Sequence, residues 1–169
     1  YIGSIEKADQ DLWIINDDIN NELKNNNLII KKDIQYIPGL FKIFDETIVN
    51  AIDHWVRLKD QQNNEKVKNI KVEISDYEIS VYNDGDGIPI VMHKDHNVYV
   101  PELIFGHLLT STNYDKGEKK ITGGKNGFGA KLTNIFSTYF KIETVDKNNK
   151  LKYTQIFQKN MSIKNDAVI

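Results

Sequence analysis

The chain has 169 residues, 40% of them hydrophobic and 10% aromatic, with a formal net charge of −2 and an isoelectric point near 6.1. That apolar fraction excludes a disordered chain, no apolar run approaches the roughly 18 to 20 residues that span a bilayer, and the length suits one domain. The lack of cysteine excludes disulfides and thiolate metal sites and fits an intracellular setting, while the acidic balance removes the electrostatic footprint of a nucleic-acid binder.

Leu12-Trp13-Ile14-Ile15 and the stretch from Leu28 to Ile37 have the β-branched enrichment of short strands, separated by a polar, asparagine-rich insertion from Asn16 to Asn27. Pro38-Gly39 punctuates. Apolar or small residues then recur at 40, 43, 44, 47, 48, 51, 52 and 55, a period that predicts a helix from Pro38 to Lys59. Glu46, Asn50, Asp53, His54 and Arg57 share the face opposite that stripe. A solvated face is the plain interpretation. Two details favour a site. An asparagine one turn after a glutamate has a helix-propensity cost and no ion pair to offset it. A carboxylate and a neutral oxygen ligand one turn apart also suit a hard cation carrying phosphate oxygens, with the carboxylate polarising a water.

Val67 to Ile74 and Glu78 to Tyr82 alternate as two strands joined at Ser75-Asp76. Asn83-Asp84-Gly85-Asp86-Gly87-Ile88-Pro89 follows: either a tight turn, or a strand end whose first side chain bonds a planar ligand while Gly85 and Gly87 leave room for it. Val98 to Leu109 reads as a second helix started near Pro101, and a polar loop from Thr110 to Asn126 leads to a third helix from Gly127. Phe140 to Val145 and Leu151 to Phe157 form a closing hairpin around Asp146-Lys147-Asn148-Asn149. Mixed strands and helices without strict β-α-β alternation predict an α+β sandwich: one largely antiparallel sheet with helices on one face.

The run Thr122-Gly123-Gly124-Lys125-Asn126-Gly127-Phe128-Gly129-Ala130-Lys131 packs glycines and lysines ahead of the third helix. Glycines let backbone N–H groups approach an anion, and a helix start adds unpaired donors, so the run reads as a phosphate cradle or as a flexible loop. Two familiar phosphate motifs fail here. A Walker A loop needs Ser or Thr after Gly-Lys, but Asn126 follows Gly124-Lys125. A dinucleotide fingerprint opened by Gly127-Phe128-Gly129 wants a small residue at Leu132 and a buried strand before it, whereas Asp115 to Lys120 is charged. Phosphate bound here is held in another architecture.

In order and spacing these three segments resemble the Bergerat ATP-binding fold of gyrases, type II topoisomerases, heat-shock chaperones, histidine kinases and mismatch-repair ATPases. The helix with Glu46 and Asn50 resembles the N box, Asn83 to Gly87 the Asp-x-Gly-x-Gly box, and Gly124 to Lys131 the ATP lid. Asparagine in place of the aspartate, at Asn83, is the eukaryotic-type topoisomerase II pattern. Tyr1 to Ser4, Pro38 to Glu46, Val98 to Gly106, Leu108 to Tyr114 and Asn134 to Thr138 are similar to that subfamily's ATPase domain, so the resemblance spans essentially the whole chain.

The resemblance implies a two-layer sandwich and one N-terminal ATP-binding domain over 1–169, a fragment lacking the N-terminal strap and the following transducer domain. It implies Glu46 as the general base or water-orienting carboxylate for hydrolysis of the γ-phosphate, Asn50 as the Mg²⁺ ligand, and Asn83 on the adenine edge. Ser111, Thr112 and Asn113 would contact ribose and phosphates. Arg57 would lie near the phosphates, and Gly124, Lys125, Asn126, Gly127, Phe128, Gly129, Ala130 and Lys131 would wrap the triphosphate. His54 stands where relatives carry asparagine or glutamate. The implied cofactors are ATP and Mg²⁺. The implied activity is ATP-gated dimer closure for DNA duplex passage, with homodimerisation through the N-terminal region, DNA held by other domains, no membrane partner, and a nuclear location in a eukaryote. Lacking a γ-phosphate lysine from the next domain, the fragment is expected to bind nucleotide weakly and hydrolyse it poorly. A nucleotide-gated clamp or chaperone-like module without topoisomerase activity is the alternative, with Glu46 as the discriminating residue.

Overall fold

A computed structural model describes residues 2–16, 28–60, 67–107 and 129–169. The chain divides into two compact units, Tyr1–Lys42 and Ile43–Ile169. In the first, β1 (Ala8–Ile15) pairs antiparallel with β2 (Ile29–Tyr36), in a register that sets Trp13 opposite Lys31 and Ile14 opposite Ile30. Period-two alternation leaves Leu12, Ile14, Ile30 and Ile34 half-buried and the intervening residues exposed. The first strand starts at Ala8, earlier than the apolar run suggested, because Gln10 and Asp9 join the ladder and bond Tyr36 and Gln35 through their side chains.

Helix α1 (Pro38–Asp60) follows, within a residue of its expected end. Proline is tolerated in a first turn, where its missing N–H has no partner to lose. In the second unit Ala51 and Leu58 of this helix are buried, whereas Ile52 and Trp55, counted in the apolar stripe, are 41% and 39% exposed. Lys59 lies over the Trp55 ring at 5.1 Å.

The antiparallel hairpin β3 (Ile70–Ile74) and β4 (Ile79–Asn83) starts three residues later than expected. The Lys68 and Asn69 amides donate to the Asp84 carboxylate, at 2.6 and 2.8 Å, and so stand outside the ladder. The second helix, α2 (Val100–Gly106), is also shorter than its predicted span. Val98 and Tyr99 are committed to a turn, with His93 N–H donating to Val98 O and Met92 bridged to Tyr99. Helix α3 (Gly129–Ile135) carries the end of the glycine run. The closing hairpin is present as β5 (Tyr139–Asp146) and β6 (Leu151–Gln158), and β6 carries a short third strand, β7 (Ile163–Lys164), that the sequence reading missed.

The described strands thus form three antiparallel ladders, β1-β2, β3-β4 and β5-β6-β7, in an α+β arrangement. Buried Val67, Ile90, Leu103, Ile142, Tyr153 and Phe157 make the core of the second unit. Its polar counterpart is buried Glu102, which accepts from Gln155 Nε2 at 3.1 Å and Lys164 Nζ at 2.6 Å, while the Tyr153 hydroxyl donates to Gln155 at 2.7 Å. A buried carboxylate needs such partners, and here they tie α2 to β6 and β7. Among the described residues no helix is long and apolar enough to cross a membrane.

Candidate functional site

Helix α1 is the element on which the site is built, because two other segments close on its polar face. The first is α3. Its opening residue, Gly129, lies so near Glu46 that a Cβ built there would collide with Glu46 Oε2. Glycine alone permits this approach. The Thr133 hydroxyl, one turn on, meets Thr47 Oγ1 at 3.1 Å and bonds Ile43 O at 3.2 Å, pinning α3 to the turn of α1 that carries Glu46. Glu46 is consequently 8% exposed, although the helical period placed it opposite the apolar stripe. Asn50, one turn further along, remains exposed.

Two residues beyond Gly129, Lys131 is 2% exposed. Burial pushes its ammonium down to about 8, since a desolvated cation loses hydration. Ala130 between them is half-buried.

The second segment is the loop after β4. Asn83 is the last residue of that strand, half-buried and opposite Ile70. Asp84 is taken up by the segment ahead of β3: besides the two amides already described, it accepts from Asn69 Nδ2 at 2.7 Å, and these bonds, led by the Asn69 amide, hold its carboxyl below its ordinary value. Gly87 has φ +76°, and a Cβ there would strike the carbonyl of Val145. Past it, Ile88 N–H donates to Thr144 Oγ1 at 3.0 Å and Ile90 N–H to Asp146 Oδ2 at 2.8 Å. Asp146 is 2% exposed and also receives Asn149 Nδ2 and N–H, at 2.6 and 3.0 Å. These donors, the Asn149 side chain first, keep its carboxyl ionised below the usual range.

Toward α1, the same loop meets His54. Its Nε2 is 3.2 Å from Asp86 Oδ1, and its Nδ1 is 2.5 Å from Arg57 Nη2. The first contact is within ion-pair distance but off the hydrogen-bond direction, so that Asp86 oxygen has no aligned donor among the described residues.

Glu46 is therefore brought against Gly129, and Arg57 is tied through His54 to the loop that follows Asn83. Ser111, Thr112, Asn113, Gly124, Lys125, Asn126, Gly127 and Phe128 lie outside the described residues. Thr144, Asp146 and Thr133 are positioning residues that the sequence reading missed. Asp146 was legible only as a turn former, and nothing local reveals that its carboxylate also anchors Ile90. Thr133 and Thr144 carried no signal at all.

A mixed α+β fold in which a helix bearing a buried glutamate meets the end of a glycine run and the loop after an Asn-x-Gly-x-Gly strand defines a nucleotide-hydrolysing class. The chain belongs to the histidine kinase-, DNA gyrase B- and HSP90-like ATPase family, whose model matches residues 36–157. It is 49% identical to DNA topoisomerase 2 of Pisum sativum over 171 aligned residues, which cover 100% of this chain and 11% of the pea protein. With DNA topoisomerase 2 of Saccharomyces cerevisiae the identity is 50% over 165 residues, 96% of this chain and 11% of that protein. The fold is that of the crystal structure of the ATPase region of Saccharomyces cerevisiae topoisomerase II, with a TM-score of 0.84 and 48% identity over 99% of this chain and 42% of the other. The chain spans only that small share of the curated relatives it matches.

Proposed function

We propose that this chain is the ATP-binding and hydrolysing module of a type II DNA topoisomerase, in which nucleotide drives dimer closure for passage of one DNA duplex through another. The observation that carries the reading is the seating of Gly129, at the end of the glycine run, on the buried carboxylate of Glu46. A carboxylate enclosed beside a phosphate-cradling segment is placed to orient a water and take its proton.

The donor set fits Mg²⁺. Asn50 offers a neutral oxygen one turn from Glu46, and among the described residues no three His, Asp or Glu side chains converge as a ready-made metal cage. That suits a cation held by one or two protein oxygens together with phosphates and water. A Mg²⁺ ion held there would supply charge neutralisation for the phosphate oxygens. Asn50 would hold it, Glu46 would orient and deprotonate the attacking water, and Asn83 would bond the adenine edge. Arg57 and Lys131 would face the phosphates, Ser111, Thr112 and Asn113 would contact ribose and phosphate, and the backbone from Gly124 to Ala130 would enclose the triphosphate. Such positioning and charge neutralisation are most of what phosphoryl transfer asks of a protein. Homodimerisation and DNA contact would belong to the whole protein, at work in the nucleus of a eukaryote.

The test is Glu46→Gln in the full-length protein, with turnover and binding of a non-hydrolysable ATP analogue measured together. Binding is expected to persist while turnover falls by about 10²-fold or more, the usual worth of a positioned general base. Retained turnover would remove Glu46 from this role. ATP-dependent relaxation of supercoiled plasmid tests the strand-passage assignment.

A further inference from the structure

His54, like Asp53, is a polar residue of the α1 face to which the proposed chemistry gives no role, and its surroundings are unusually committed. The imidazole side chain is 12% exposed. It lies close against Gly85, where an added Cβ would come within 2.6 Å of Nε2 and 3.1 Å of Cδ2. Val67 Cγ2 lies 3.2 Å from the same point, so the pocket wall on that side is apolar. Two charged groups face the ring, Arg57 from α1 at Nδ1 and Asp86 from the loop at Nε2.

This arrangement selects one tautomer. Arg57 has only N–H groups to offer, so Nδ1 must present its lone pair; the proton then resides on Nε2, toward the acidic Asp86. We infer that His54 is a positioning residue, a neutral relay that accepts from Arg57 and packs on Gly85 while facing Asp86, so that the Arg57 side chain and the loop after β4 are held to one helix. This inference rests on the reading of Arg57 as a nucleotide-side cation. Burial lowers the His54 pKa, the Arg57 charge lowers it further, and Asp86 partly opposes both, so the ring is neutral at neutral pH. Protonation would remove the acceptor at Nδ1 and set a second cation against Arg57.

Substitution can separate the two partners. Asparagine presents a carbonyl oxygen where Nδ1 stands and glutamine an N–H where Nε2 stands, so His54→Asn preserves the Arg57 contact and His54→Gln the Asp86 side. Both are neutral at every pH used. The experiment is calorimetric binding of Mg²⁺ with a non-hydrolysable ATP analogue to the full-length protein and these variants, between about pH 7.5 and about pH 5, a window that extends well below the ordinary imidazole value because the ring's pKa is lowered. At the upper pH, His54→Asn is expected to bind like the parent and His54→Gln about tenfold more weakly, the loss of one hydrogen bond to a charged group. Toward the lower pH, the parent is expected to fall by about tenfold relative to His54→Asn. Asp86→Asn, which removes the charge that favours imidazolium, is expected to shift that fall to lower pH. A parent whose affinity keeps pace with His54→Asn across the range, or a His54→Gln variant that binds like the parent, overturns the relay while leaving the nucleotide site intact. A parent that binds no analogue at all overturns the nucleotide reading itself, and the relay with it.

Discussion

Gly129 of α3 lies against the Glu46 side chain of α1, so close that a Cβ built on it would collide with the carboxylate. The contact links the end of the glycine run to the residue proposed to activate water. Anything added at Gly129 must displace that carboxylate.

Gly129→Ala is therefore expected to leave analogue binding within a few-fold of the parent, while lowering ATP turnover of the full-length protein by about tenfold or more, since small misplacements of a reacting group are costly. Parallel measurement of kcat and of the analogue Kd checks it. Unchanged kcat would show that Glu46 works without the Gly129 contact.

Lys131 is a buried ammonium lowered to about 8, against an ordinary 10.5. Between those values the unfolded chain binds more protons than the folded one, so its contribution to stability rises with pH across that window. In Lys131→Met this component of the urea-denaturation profile is expected to vanish, with stability at neutral pH equal to or above the parent's. Analogue affinity should nevertheless drop by about tenfold, the worth of a charge-assisted hydrogen bond. A variant both less stable and unimpaired in binding would place Lys131 in the core rather than in the site.

Gly87 combines φ +76° with a collision between any Cβ and Val145 O. Gly87→Ala is expected to cost about 3 kcal/mol or more, because left-handed strain and backbone displacement add. Chemical denaturation measures it. A loss below about 0.5 kcal/mol, the ordinary range of surface substitutions, would contradict the docking of this loop on β5.

Asp146 holds Ile90 and Asn149 with an ionised carboxylate whose pKa is depressed below its ordinary 3.8. A depressed carboxylate contributes stability that is present above the unfolded pKa and lost as pH falls through the folded value. Asp146→Asn is expected to destabilise the fold by about 1 to 3 kcal/mol at neutral pH, because the amide keeps one acceptor oxygen and sets an NH₂ against a donor that the other oxygen served. It should also flatten the parent's loss of stability below about pH 4. Denaturation profiles from neutral pH down to acid check both.

What was readable in the sequence was what neighbouring residues decide among themselves. Helix α1 followed from a 3.6-residue period behind Pro38, the β5-β6 hairpin from two alternating runs around a polar turn, and the phosphate-cradle reading from glycine chemistry close to a helix start. These depend on backbone sterics and spacing, which a local stretch already contains. Boundaries failed where distant partners intervened: Asp84 drew Lys68 and Asn69 out of β3, and the Met92 bridge drew Tyr99 out of α2.

The sequence by itself determined the α+β class, the order of three nucleotide-type boxes and the identity of Glu46, Asn50 and Asn83 as candidates. Only the tertiary structure decided that Glu46 is covered while Asn50 stays exposed, that Lys131 is desolvated, and that His54 stands between Arg57 and Asp86. Periodicity assigns a residue to a face of a helix. What covers that face depends on segments far along the chain, and burial, pKa and hydrogen-bond partnership follow from that approach.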